Sequence, residues 1–245
     1  MKIFFMGICC ALSVCAFAQS SVTRSFPVQE GQQVTLKFDY PVVKISTWEK
    51  NEVSVIAHIN INDHENDGAF MLEEQTDQGR IVIGDRIKDI DNLPRRYTVV
   101  YADGEKMTYR SKSEYMDASK GGGVRQTFEG QDIDIVVEIK VPVHSATNVK
   151  AVYGIVEMSD FNASVTIDAT YGGIDATVAT AHTGKLKATT SYGQIYSNLD
   201  LRLTDHTERD FFNSITAEPG TGPAYDLTST YGKIYLRKPK SGATY

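Results

Sequence analysis

The tetrapeptide Tyr-Gly-x-aliphatic limits what this chain can fold into more than any other feature. It occurs as Tyr153-Gly154-Ile155-Val156, Tyr171-Gly172-Gly173-Ile174, Tyr192-Gly193-Gln194-Ile195 and Tyr231-Gly232-Lys233-Ile234. The flanks repeat with it. Six, four and two residues before the tyrosines stand Thr147, Val149 and Ala151; Val165, Ile167 and Ala169; Leu186, Ala188 and Thr190; and Tyr225, Leu227 and Ser229. Three and five residues after them stand Val156 and Met158, Ile174 and Ala176, Ile195 and Ser197, Ile234 and Leu236. Polar residues such as Lys150, Asp168, Lys187, Thr189 and Asp226 fill the gaps. Period two belongs to a strand with one buried face. Strand units repeated along a chain form stacked coils, each burying its apolar face against the next.

The parity of the apolar positions changes at the glycine. One residue that reverses the faces marks a bulge or tight corner, where glycine supplies unusual backbone angles. The tyrosine has the parity of the buried column, so its ring is expected to point inward at the corner. The tyrosine spacings are 18, 21 and 39 residues. The last is close to two coils, and segment 204–220, where the pattern breaks, reads as an irregular or looped-out coil.

The chain opens with Lys2, an apolar run and Ala16-Phe17-Ala18. That is the pattern of a secretory signal over residues 1–18, with a mature start at Gln19. Cys9, Cys10 and Cys15 all fall inside it. The mature part therefore has no thiol for disulfides or thiolate metal sites. The formal net charge is −6, and no basic run occurs. Both facts argue against nucleic acid and against anionic membrane surfaces as partners. The expected location is the periplasm or cell surface, with no stable membrane insertion after signal cleavage.

Residues 19–141 read as an N-terminal β region. Val43, Ile45 and Thr47 share one face of a first strand, and Val53, Val55, Ala57, Ile59 and Ile61 share one face of a second. Residues 80–83 and 97–101 read as further short strands. Residues 102–130 are polar and aperiodic, with Gly121-Gly122-Gly123, and read as a long flexible loop. No helix of useful length is expected. Ile133, Ile135, Val137, Ile139 and Val141 then alternate cleanly up to Pro142. Residues 142–245 hold the Tyr-Gly coils, in one continuous fold with what precedes them. The expected class is all-β: a solenoid of about 20-residue coils, preceded by antiparallel strand pairs.

The run DIVVEIKVPV, then NVKAVYGIVEM, then coils such as KLKATTSYGQIYSNL, resembles the bacterial putative-adhesin family of Gly-punctuated β-strand-repeat proteins. VKISTWEKNEVSVIAHI is similar to the opening strand pair of that family. The resemblance implies a right-handed β-helix-like solenoid and an adhesin label. Together with the signal and the coils it leads to the expectation of an exported, non-enzymatic binding or scaffolding protein, with a surface glycan or an envelope protein as the expected partner. It implies no catalytic residues.

Candidate chemistry is sparse. Asp63, Glu65, Asp67 and Glu74 fall at positions 1, 3, 5 and 12 of a loop with Gly68 at position 6. That spacing is calcium-like, because a hard cation takes several carboxylate oxygens around a sharp turn. The alternative is a solvated hairpin loop, and no other cofactor is expected. Glu157 and Asp175 fall in one column, as a carbohydrate-active enzyme on the same scaffold would need of an acid pair. That column continues as Tyr196 and Tyr235, which face outward and are the expected contact residues. His58, His64, His144, His182 and His206 show no ligand spacing, and no nucleophile or phosphate-binding motif is present.

Overall fold

The structure is a computed structural model that describes residues 20–240. The signal-peptide reading and the three cysteines lie outside the described residues. Among the described residues the strands form two large mixed sheets and one small antiparallel sheet. The fold is all-β.

Five rungs organise the two large sheets, each giving one strand to either sheet. The first is Val34–Phe38 with Val42–Trp48. The second is Thr147–Ala151 with Val156–Met158, and the third Val165–Ala169 with Ile174–Thr177. The fourth is Lys185–Thr190 with Ile195–Ser197, and the fifth Ala224–Ser229 with Ile234–Arg237. Neighbouring rungs pair in parallel and in register, so Val149 lies between Leu36 and Ile167, and Glu157 between Lys44 and Asp175. The expected columns are the buried columns: Val149, Ile167, Ala188 and Leu227 are all buried, as are Val156, Ile174 and Ile234. Both sheets contribute to one apolar core.

Spatial order departs from chain order. The fifth rung pairs with the third on one side and with the fourth on the other. The spacing of 39 residues is therefore not two successive coils. Residues 203–217 form a hairpin, Leu203–Arg209 with Phe212–Ala217, that lies antiparallel along Lys185–Thr190 and closes the sheet there. The chain then returns to insert its last rung between two earlier ones.

The opposite end is closed by other means. Ser20–Pro27, Glu52–Ile61 and Ile133–Pro142 extend one sheet beyond the first rung. Arg80–Ile87 and Phe70–Asp77 extend the other. At each junction a tyrosine amide donates to the rung before it: Tyr153 to Asp39, Tyr171 to Val152, Tyr231 to Thr170 and Tyr192 to Thr230, at 2.8–2.9 Å. The first rung has no predecessor at this corner. There the amide of Asp39 donates to Asp85 Oδ1 at 3.1 Å. Asp85 Oδ2 is buried without a partner, and burial pushes this carboxyl up to about 6.

Segment 102–130 is not a loop without regular structure. It carries Lys106–Tyr109, a helix over Lys112–Ser119 and Val124–Gly130, and the two strands flank Arg96–Tyr101. The helix starts at a capping box: the Ser111 hydroxyl accepts from the Glu114 amide, and Glu114 reaches back to the amide of Ser111. Tyr115 stacks on Tyr97 at 5.8 Å, and Val99 is fully buried. No helix among the described residues is long and apolar enough to cross a membrane.

Candidate functional site: the aromatic corner

The four repeat tyrosines point outward, not inward. They are 50–59 % exposed. Period-two parity holds along a strand, but the chain turns at the tyrosine, so a ring that would continue the buried column instead stands off the corner. The glycine that follows is tucked in. A Cβ on Gly154, Gly172, Gly232 or Gly193 would lie 1.6–2.1 Å from a carbonyl oxygen of the adjacent rung. None of the four has a positive φ. Glycine is required here by close approach of two backbones, not by an unusual dihedral angle.

The rings form one continuous exposed stack. Its order is Tyr40, Tyr153, Tyr171, Tyr231, Tyr192 and Phe211, with successive centroids 5.3, 5.3, 5.2, 5.0 and 5.5 Å apart. That is close to the strand spacing of about 4.8 Å, so in-register rungs stack their rings without further adjustment. Interior rings cover one another's faces. They offer their edges and a row of phenol hydroxyls. Only the ends of the stack have an open face.

Two members were not expected from the repeat. Tyr40 belongs to the first rung, and its signal was readable: Val34, Leu36 and Phe38 stand six, four and two before it, and Val43 and Ile45 three and five after. Pro41 takes the place of glycine, which is tolerated because no rung presses on that corner from outside. Phe211 comes from the capping hairpin, where the Phe211-Phe212 pair in a polar segment was the only hint. Phe211 is 73 % exposed and has a left-handed backbone, φ 61°.

Tyr196 and Tyr235 form a second, shorter stack, with centroids 5.2 Å apart. Lys233 Nζ lies 5.8 Å from the Tyr196 ring, and Arg237 Cζ 5.0 Å from that of Tyr235. Beside the Phe211 end of the longer stack lies an open groove of about 390 Å³. Tyr192, Tyr231, Phe211, Gln194, Lys233 and Arg209 are among its lining residues.

The acid pair is brought together in register, Glu157 opposite Asp175. Each acid, however, has its own cation. Glu157 lies 3.7 Å from Lys44, and Asp175 receives two hydrogen bonds from Arg237, at 2.6 and 2.8 Å.

The four acids of the calcium-like spacing are not gathered around one point. Asn62, Asp63 and His64 all have left-handed backbones, which folds the turn onto itself. Glu65 is taken by Arg96 at 2.5 Å and Arg110 at 2.6 Å. Asp67 accepts from the amide of Ile61 and pairs with His64 Nδ1, both at 2.8 Å. Glu74 lies away in the strand Phe70–Asp77, opposite Ile83. No group of three or more His, Cys, Asp or Glu among the described residues is arranged to hold a metal.

No family model matches this sequence, and neither does any curated protein. A solved structure does. It is a putative cell adhesion protein from Clostridium sporogenes ATCC 15579, similar over 90 % of this chain and 99 % of that one. The sequence identity is 9 % and the TM-score 0.50. The two chains share an overall fold. A putative adhesin from Bacteroides fragilis NCTC 9343 aligns over 91 % of this chain and 98 % of that one, at 8 % identity and a TM-score of 0.22. That second likeness is too loose to inform the fold.

Proposed function

We propose that this protein is an exported, non-enzymatic adhesin. Its rungs form a right-handed β-helix-like solenoid, and its aromatic corner contacts a ligand on a cell surface, a glycan ahead of an envelope protein. The observation that carries this reading is the exposed stack of six rings along one edge of the molecule. An apolar surface of this kind costs solubility unless something covers it. The fold shared with a cell adhesion protein supports the reading, as does the signal-like start of the sequence. The separate ion pairs of Glu157 and Asp175 favour binding over hydrolysis or elimination.

The test is a glycan array combined with whole-cell binding, using the exported protein. Saturable binding is expected, and Tyr171→Ala combined with Tyr231→Ala is expected to weaken it at least tenfold while the protein stays folded. Added calcium or a chelator is expected to change neither binding nor melting temperature, because Glu65 and Asp67 are already partnered. Hydrolase or lyase activity that disappears in Glu157→Gln or Asp175→Asn would overturn the reading.

A further inference from the structure

The geometry points to a subsite for an acidic sugar, a uronic acid residue of an anionic polysaccharide, in the groove at the Phe211 end of the aromatic corner. This rests on the reading of that corner as a contact surface and specifies what one end of it takes.

The stack has few faces to offer, because each interior ring is covered on both sides. Phe211 is the exception. Its one ring neighbour is Tyr192, and 73 % of it is exposed. It is also held where a bulky residue is disfavoured. A left-handed backbone disfavours a non-glycine residue, and glycine would serve this turn better. The one ring contact with Tyr192 is what the fold gains from a phenylalanine there, and most of the ring is left to water. An exposed flat ring suits the apolar face of a pyranose, which binds by stacking.

The charges around the ring specify the sugar. On the two rungs next to the groove, Lys187 is paired with Asp226 and Arg237 with Asp175. Lys233 and Arg209 line the groove and have no carboxylate partner among the described residues. Glu208 also lines the groove, and its ion-pair contact is His206 at 4.0 Å. Two cations without carboxylate partners thus stand beside an open aromatic ring. They match a ligand with one carboxylate per ring. Gln194 also lines the groove, its Oε1 held by the Tyr196 hydroxyl. An acidic peptide would satisfy the cations but has no flat face for Phe211, so the sugar is the better fit.

The test titrates the protein with oligogalacturonate, with cellohexaose as the neutral counterpart and poly-glutamate as the acidic peptide. Oligogalacturonate is expected to bind, and to bind more weakly as salt rises. Lys233→Gln and Arg209→Gln are each expected to weaken it about tenfold. Phe211→Gly keeps the turn geometry and removes the ring, so it should hold or raise the melting temperature while weakening binding about tenfold. Poly-glutamate binding as tightly as the sugar, and indifferent to Phe211→Gly, would overturn the inference in favour of an acidic protein. Oligogalacturonate binding that Lys233→Gln and Phe211→Gly leave unchanged would also overturn it. If oligogalacturonate fails to bind but cells are still bound through Tyr171 and Tyr231, this inference fails and the adhesin reading stands. If neither cells nor the array is bound, both fail.

Discussion

Gly172 is fixed by its neighbour. A Cβ there would sit 1.8 Å from the carbonyl oxygen of Gly154, with no flexible side chain able to move aside. Gly172→Ala must push two rungs apart, and the expected loss is about 3 kcal/mol. That is a fall in melting temperature of about 6–12 °C, measured by calorimetry. Ser229 is fully buried and works at the same corner: its hydroxyl accepts from the Gly232 amide and donates to the Gly172 carbonyl, both at 2.9 Å. Ser229→Ala leaves both groups short of a partner and should cost about 1–3 kcal/mol. Asp85 runs the other way. Its carboxyl titrates at about 6 in the fold, above the ordinary 3.8. The folded state therefore holds the proton more tightly than the unfolded one, and stability is lost as pH rises from about 4 through 6. Asp85→Asn keeps an oxygen for the Asp39 amide and loses the buried charge. Urea melts should show it more stable than wild type by up to about 3 kcal/mol above pH 6, with the gap closing near pH 4. At this scale the sequence disclosed the columns but not the direction of the tyrosine ring, because parity is a rule about strands and the ring sits where the strand ends.

Elements were legible wherever one face is buried. Glu52–Ile61 and Ile133–Pro142 alternate without a break, and their buried sets are those the pattern predicts, except that Ile133 is only half-buried. The helix over Lys112–Ser119 escaped because it buries no residue, so it has no apolar period to read. Its signal lay in capping chemistry, Ser111-x-x-Glu114, which a search for hydrophobic periodicity passes over. Ser111→Ala should cost that helix about 1 kcal/mol, seen as faster amide exchange over residues 112–119 with little change in global stability. The capping hairpin escaped for the opposite reason. Its strands pair antiparallel beside parallel rungs, so its register answers to Lys185–Thr190 and not to the tyrosine repeat. The aromatic surface was half legible: Tyr196 and Tyr235 were readable as an outward pair, whereas Phe211 and Arg209 reach the groove only through that hairpin.

At the scale of the molecule, two sheets share one core, and in-register burial along the rungs holds the described residues together without a single thiol among them. The order in space, with the fifth rung between the third and the fourth, has its own consequence. Within the sheets, the strands of residues 185–217 pair with the other rungs through residues 224–237, the last strands among the described residues. A chain that crosses a membrane from its N-terminus would deliver this keystone last. Until it arrives, the fourth rung and its hairpin are a loose flap, and the row of rings is broken between Tyr171 and Tyr192. The aromatic edge is then complete only once almost the whole chain has emerged, so a half-delivered molecule has no continuous sticky edge with which to capture its neighbours.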